Sequence, residues 1–308
     1  MSDTLGLGKV TKEIFNRSVL LYLPIEKNLE LDGATTRFFG NTVIAHSPSI
    51  GVPIDALGFF SFHYAASNVA SRFGKPTNMI SGIYLPLRTK ESDLRVIAKS
   101  LGDEAKKYGV IITAGQTATY FGLEIPLLTS TCMGGEVRAP QKPMVGDAVL
   151  LVGEVGGEAV WLDRLAKGQE GDSWMKFTPL PAILSLQNVD KVRIMHDVSE
   201  GGVIGALYEV AEGHNVMIDA SSENIVYSKG ARELEGEILR APTYGALIAI
   251  VSPEGVNEAK QRCQEIGIIC TIIGSVSEGN GLTLDGEPIT EQRRIDIDEI
   301  YGSFPGDE

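Results

Sequence analysis

Between a run of apolar residues and a helical pattern, the chain reads Met195-His196-Asp197-Val198-Ser199-Glu200-Gly201-Gly202. An acid, a hydroxyl and two glycines in this order suit a strand-to-helix turn that presents groups to an anion. Backbone N–H groups and the helix N-terminus favour negative charge there. Asp197 falls at the C-terminal end of the predicted strand, where α/β sheets present functional groups. Gly201 and Gly202 allow another backbone or a phosphate to approach closely. The same spacing fits a plain turn in which Ser199 or Asp197 only caps the helix.

Other chemistry is poorly served. Cys132, Cys263 and Cys270 show no metal or redox spacing, and His46, His63, His196 and His214 are scattered, so a zinc enzyme is not expected. Net charge is −13 with acids spread along the chain, which argues against nucleic acid as a partner. A nucleotide remains compatible, because magnesium and backbone N–H groups offset its charge locally. No stretch reaches the ~20 apolar residues of a membrane span, and the N-terminus lacks a signal-peptide pattern. A cytoplasmic protein of 308 residues with two domains is expected.

The elements that must position these residues alternate. Residues 54–73 carry apolar side chains at helical spacing, with Gly74 and Pro76 as a stop. Thr89 is placed to cap a second helix whose apolar face runs Leu94, Ile97, Leu101, Ala105, Tyr108. Strands are predicted at 42–45, 82–85, 110–113 and 127–133. A Pro-rich linker over 139–143 separates residues 1–138 from 145–308. In the second half, strands are expected at 148–152, 192–195, 244–251 and 268–273. Helices are expected after Gly157, after Thr178-Pro179, over 202–212 with Gly213 as the stop, and after Ser252-Pro253. Asp285-Gly286 reads as a hairpin turn. The fold class is α/β (α+β).

Residues 196–203, followed by Ala206-Leu207-Tyr208-Glu209-Val210-Ala211, resemble a signature shared by aminoimidazole-ribonucleotide (AIR) synthetase, formylglycinamidine synthetase and the hydrogenase-maturation carbamoyl dehydratase. Further matches follow in family order. Asn68 lies in a segment similar to Ala-Asn-Asp-Ile-Ala-Ala-Met-Gly-Ala-Lys-Pro. Ala114-Gly115-Gln116-Thr117 resembles Gly-Gly-(Asp/His)-Thr. Val145-Gly146-Asp147 resembles the family's second-domain entry, and Pro242 to Ala249 its Ser-Ser-Gly-Ala-Leu-Leu-Ala strand. The resemblance implies a two-domain AIR synthetase-like fold whose N-terminal domain contributes to a dimeric β-barrel. It implies ATP with magnesium in a cleft between the domains, and phosphorylation of a carbonyl, amide or acid oxygen of a small molecule or protein amide. The residues it assigns to the nucleotide or its phosphates are Asp197, Ser199, Gly201, Gly202, Asn68, Gln116, Thr117 and Lys9. Asp32, in Leu31-Asp32-Gly33-Ala34, is the candidate metal ligand.

The chain departs from the family at the acids. Asn-Asp is Asn68-Val69, Gly-Gly-(Asp/His)-Thr is Ala114-Gly115-Gln116-Thr117, and Thr-Asp-Pro is His46-Ser47-Pro48. Each lost charged contact costs on the order of 1.5–3 kcal/mol. Asp32, Asp55 and Asp197 are the acids that could compensate. The dehydratase's terminal cysteine has no counterpart in residues 303–308, so carbamoyl transfer is not expected. Two readings follow: an ATP-dependent enzyme, or a paralogue that binds a nucleotide, metabolite or protein partner without turnover. A purely structural dimer is a third.

Overall fold

A computed structural model describes residues 34–37, 40–169 and 174–291, the first of these as backbone only. The first sheet holds β1 (Ala34–Arg37), β2 (Asn41–Ile50), β3 (Gly74–Pro86), β4 (Ile111–Tyr120) and β5 (Leu127–Glu136) in the order β1-β2-β5-β3-β4. Pairing is antiparallel except between β3 and β4. The second sheet holds β6 (Ala148–Val152), β7 (Val192–Asp197), β8 (Met217–Ala220), β9 (Leu247–Val251), β10 (Cys270–Ser277), β11 (Gly281–Leu284) and β12 (Glu287–Ile289). Its order is β12-β11-β8-β10-β6-β9-β7.

The barrel that the family resemblance implies is not formed. Closure requires the two edge strands of a sheet to hydrogen-bond to each other. Among the described residues β1 pairs only with β2, and β4 only with β3, so the first sheet stays open; the second is likewise open between β12 and β7. The architecture is nevertheless mixed α/β with two sheets, as the alternation of elements predicts.

Helix α1 (Ile54–Ser71) lies between the sheets, packing on β2, β5 and β3 of the first and on β7 of the second. Its predicted apolar stripe is only part of what it buries: Ala56 to His63 are all buried, as are Ala65, Ala66, Ser67, Val69 and Ala70. A helix covered on all sides has no solvent face to keep polar. Helix α2 (Glu91–Lys107) packs on α1 through Ile97, Leu101 and Ala105, a true i, i+4, i+8 stripe. The remaining α-helices among the described residues are α3 (Gly157–Ala166), α4 (Leu180–Leu186), α5 (Gly202–His214) and α6 (Val256–Glu265).

Strand alternation divides the core of the second sheet. Leu150 and Val152 face α1, α4 and α6 in one cluster, while Val149 and Leu151 face α5 in another. The first cluster also contains Val43, Ala45, Met79 and Cys132 from the first sheet, so one continuous core joins the two halves. Arg138 adds polar ties between them. Its guanidinium stacks 3.7 Å over the Phe73 ring and donates to the carbonyls of Val189 and Val192. The Gln187 amide donates to Ala70 O and Gly74 O at 3.3 and 2.8 Å. Among the described residues no helix is long and apolar enough to cross a membrane.

Candidate functional site

Strand β7 delivers Asp197 at its C-terminal end, as the sequence pattern predicts, and Asp197 is buried. Val198 N–H continues the pairing by donating to Ala246 O at 3.0 Å. Ser199, half-buried, and Glu200, exposed, form the turn, closed by Gly202 N–H donating to Ser199 O at 3.0 Å. Neither Asp197 nor Ser199 caps α5: the N-cap is Gly201 and no side chain bonds there. Gly202 is needed for a reason within the fold. Its φ is +60°, and a Cβ would lie 2.4 Å from Leu239 O.

Beside Asp197 lie two groups from distant parts of the sequence. Glu158, in the first turn of α3, is 9 % exposed and accepts a 2.7 Å hydrogen bond from Tyr244 N–H. Burial is the main force that pushes its carboxyl up to about 7. The Tyr244 N–H opposes the rise, and the negative charges of Glu200 and Asp197 add to it. The buried Tyr244 hydroxyl donates to Ser67 Oγ on α1 at 3.1 Å. Burial, then the Asp197 charge, hold this phenol well above its ordinary range.

Next to Ser67 on α1, Asn68 donates through Nδ2 to Ser47 Oγ at 3.4 Å, and its buried Oδ1 has no hydrogen-bond partner. One turn earlier, His63 bridges the halves. Its Nδ1 is 2.7 Å from Thr178 Oγ1 and its Nε2 is 2.9 Å from Glu104. Burial lowers the His63 pKa against the raising influence of Glu104, so the ring is neutral at neutral pH. Phe60, Trp161, Phe177 and Tyr244 wall this seam. Asp197, Glu158, Tyr244, Ser67 and Asn68 thus form a polar line through a mostly apolar interface, with a titratable carboxyl near its middle.

Gln116 and Thr117 lie elsewhere. They sit on β4 opposite Gly82 and Ile83 of β3, are exposed, and Gln116 donates to Tyr120 Oη at 2.6 Å. Lys9 and Asp32 lie outside the described residues. Asp55 is exposed in the first turn of α1. Glu158 and Tyr244 were not singled out as site residues by sequence reasoning. The available signal for Glu158 was a carboxylate inside an otherwise small and apolar run, Gly156-Gly157-Glu158-Ala159-Val160-Trp161.

A magnesium ion held by a carboxylate cluster does not fit the described residues. Val69, where the family carries an acid, is 0 % exposed in the core and supplies no oxygen. No grouping of three or more His, Cys, Asp or Glu side chains able to hold a metal occurs among them. At the start of α3, next to Glu158, a small cavity of about 90 Å³ gathers Arg164, Lys176 and Lys229 around Gly157 and Ser228, with the Glu154 carboxylate, which accepts from Ser228 Oγ, also in its wall.

Comparison with known proteins matches the two halves of the sequence to one family. Residues 32–136 match the N-terminal domain of AIR synthase related protein, and residues 144–287 match its C-terminal domain. A thiamine-monophosphate kinase from Pyrococcus horikoshii is 28% identical over 240 residues, covering 74% of each chain. The carbamoyl dehydratase HypE of Bradyrhizobium diazoefficiens is 29% identical over 236 residues, covering 71% of this chain and 68% of its own. The solved structure of the hydrogenase maturation protein HypE in complex with ATP superposes with a TM-score of 0.71. It is 19% identical and is matched over 94% of this chain and 98% of its own, a likeness of fold. With both of the family's domains matched in order along the chain, and the two-sheet fold shared with solved structures, this protein belongs to the family of AIR synthase related proteins.

Proposed function

We propose that this chain is an ATP-dependent enzyme that phosphorylates a carbonyl, amide or acid oxygen of a small-molecule or protein-amide substrate. Its site is the polar line between the two sheets, where the units taken as residues 1–138 and 145–308 meet. The observation that carries the reading is Glu158: a buried carboxyl with a pKa of about 7, set against Asp197 and held by Tyr244 N–H. Groups tuned toward neutrality in a seam between elements are the pattern of proton-transfer sites. In this reading Glu158 accepts the proton that an acceptor oxygen or amide loses. Tyr244 and Ser67 fix the geometry beside it, and Asn68 offers its amide oxygen to the ligand. Ser199 and the uncapped first turn of α5 position an anionic portion through backbone N–H groups, while Asp197, itself negative, contacts a neutral or hydrogen-bond-donating part of the ligand. Arg164, Lys176 and Lys229, against the one carboxylate Glu154 in the same cavity, supply a second place for negative charge in a chain whose net charge is −13. A homodimer is part of the proposal, and its surface is argued below.

A second reading, a paralogue that binds nucleotide or metabolite without turnover, is favoured by Val69 standing in the core at the family's acid position. Calorimetric titration of ATP, with and without magnesium, followed by a phosphate-release assay, decides between them. The enzyme reading expects ATP binding together with phosphate release in the presence of an acceptor. Binding without release supports the paralogue, and no binding in either condition overturns both nucleotide readings.

A further inference from the structure

Cys263 and Cys270 are separated by a short reversal between α6 and β10. Helix α6 ends at Glu265 and β10 begins at Cys270. The reversal is tied back to the first cysteine: Ile266 and Ile268 N–H both donate to Cys263 O, at 3.2 and 2.9 Å. Gly267 provides the left-handed residue, φ +71°. Both cysteines pack against the same core cluster, and the Cys263 thiol donates a hydrogen bond to the Cys270 sulfur.

The pair is unequal in access. Cys263 is fully buried, whereas Cys270 is half-buried and lines an open cavity of about 460 Å³ together with Lys260, Gln264 and Ile269. The bond from Cys263 holds the Cys270 thiol below its ordinary range, with help from the Lys260 charge, and raises Cys263 in turn. Cys132 offers a control within the same chain, buried on β5 with its thiol pushed up to about 12. The thiolate is the nucleophile in exchange with disulfides, so an accessible thiol beside a cation attacks first.

We infer that Cys270 and Cys263 are a redox-active dithiol, open through the Lys260 cavity, which a low-molecular-weight disulfide such as oxidised glutathione converts into an internal disulfide. The Cys270 thiolate attacks one sulfur of the small disulfide, forms a mixed disulfide and expels the first small thiolate. Cys263 then gives up its proton and attacks the Cys270 sulfur, expelling the second. The protein loses two electrons and two protons, and the small disulfide is reduced to two thiols.

The test is intact-mass measurement, thiol titration and peptide mapping of the full folded chain after incubation with oxidised glutathione. The expected result is loss of two of the three thiols, a Cys263–Cys270 cross-linked peptide, no retained glutathione, and reversal by dithiothreitol. Cys263→Ser is expected to keep glutathione on Cys270, and Cys270→Ser to remain unmodified. Circular dichroism checks the fold of both. Should the buried Cys263→Ser fail to fold, the wild-type cross-link and the half-buried Cys270→Ser variant decide alone. Three thiols surviving in the wild type, a lasting adduct on Cys270, or reaction at Cys132 instead would overturn the inference.

Discussion

Taking Glu158 out of water favours its neutral form, and the nearby charges of Glu200 and Asp197 act in the same direction. Its carboxyl titrates near 7 in the native state against 4.5 for the ordinary group, so between these values the folded chain holds more protons than the unfolded one. The stability contributed by the protonated form is therefore complete below the lower value and is lost as pH rises through the upper one. The gap corresponds to about 3 kcal/mol. His63 works with the opposite sign: its pKa is lowered, so its contribution is lost as pH falls below the ordinary histidine range. Comparing wild type with Glu158→Gln isolates the carboxyl, because glutamine is neutral throughout and still accepts from Tyr244 N–H. Urea unfolding at about pH 5 and about pH 8 is expected to show the variant more stable by roughly 1–3 kcal/mol at the higher pH, with little difference at the lower. Phosphate release should fall in the same variant. Equal pH slopes would remove Glu158 from its role. Asp197 was legible in the sequence because two glycines and a strand end marked its turn. Glu158 was not, since the Tyr244 N–H it bonds and the Glu200 and Asp197 charges beside it come from distant segments of the chain.

At the scale of elements, periodicity was readable wherever a segment has one wet face and failed where it has none. Helix α2 shows its stripe because its other side is solvated, while α1 is covered by both sheets and by α2. Local punctuation was a mixed guide. Gly74 and Pro76 do follow the end of α1 at Ser71, and they also open β3, paired with Glu136 and Gly134 and followed by a bulge before Asn78. Thr89 does not cap α2; its hydroxyl donates to Pro86 O, and the N-cap is Lys90. Gly213 does not stop α5, which runs to His214 and ends on left-handed Asn215. The Asp285-Gly286 hairpin did form, both residues having positive φ. Gly58 shows what the α1–α2 contact demands: a Cβ there would lie 2.3 Å from Ile97 O and 2.5 Å from Leu101 N. These are backbone atoms that move only if the helices part. Gly58→Ala is expected to destabilise the protein by about 1–3 kcal/mol, despite alanine's better helix propensity. Thermal and urea unfolding check the sign. A stabilised variant would mean that the two helices do not approach this closely in solution.

For the whole molecule, the open first sheet leaves one edge that a monomer handles poorly. Of the ten residues of β4, only Ala118 is even partly covered, and Ile111, Ile112 and Tyr120 are exposed, with Phe121 just beyond at 94 %. An unpaired strand edge bearing apolar side chains invites another chain. Proteins normally blunt such edges with charge, and residues 111–120 carry none. In the homodimer we propose, a second copy of this chain covers this edge, because the same apolar edge on both partners makes a self-complementary, two-fold contact. The net charge of −13 sets a further condition. Two copies repel at long range, so a contact made by apolar side chains should strengthen as salt screens the repulsion. Light scattering on the eluting protein is expected to give twice the 33.1 kDa of the chain, with the dimer persisting to lower concentration as salt is added. Replacing Ile112 and Phe121 together by Asp touches no buried side chain, so the fold should survive while the dimer is lost. A wild-type chain that stays monomeric at high salt and high concentration would show that some other partner covers β4. Gln116 and Thr117 lie on this same strand, so the variant also tests whether they act only in the assembled form. ATP binding that persists unchanged in a folded monomer would place the ligand wholly within one chain, along the line from Asp197 to Asn68.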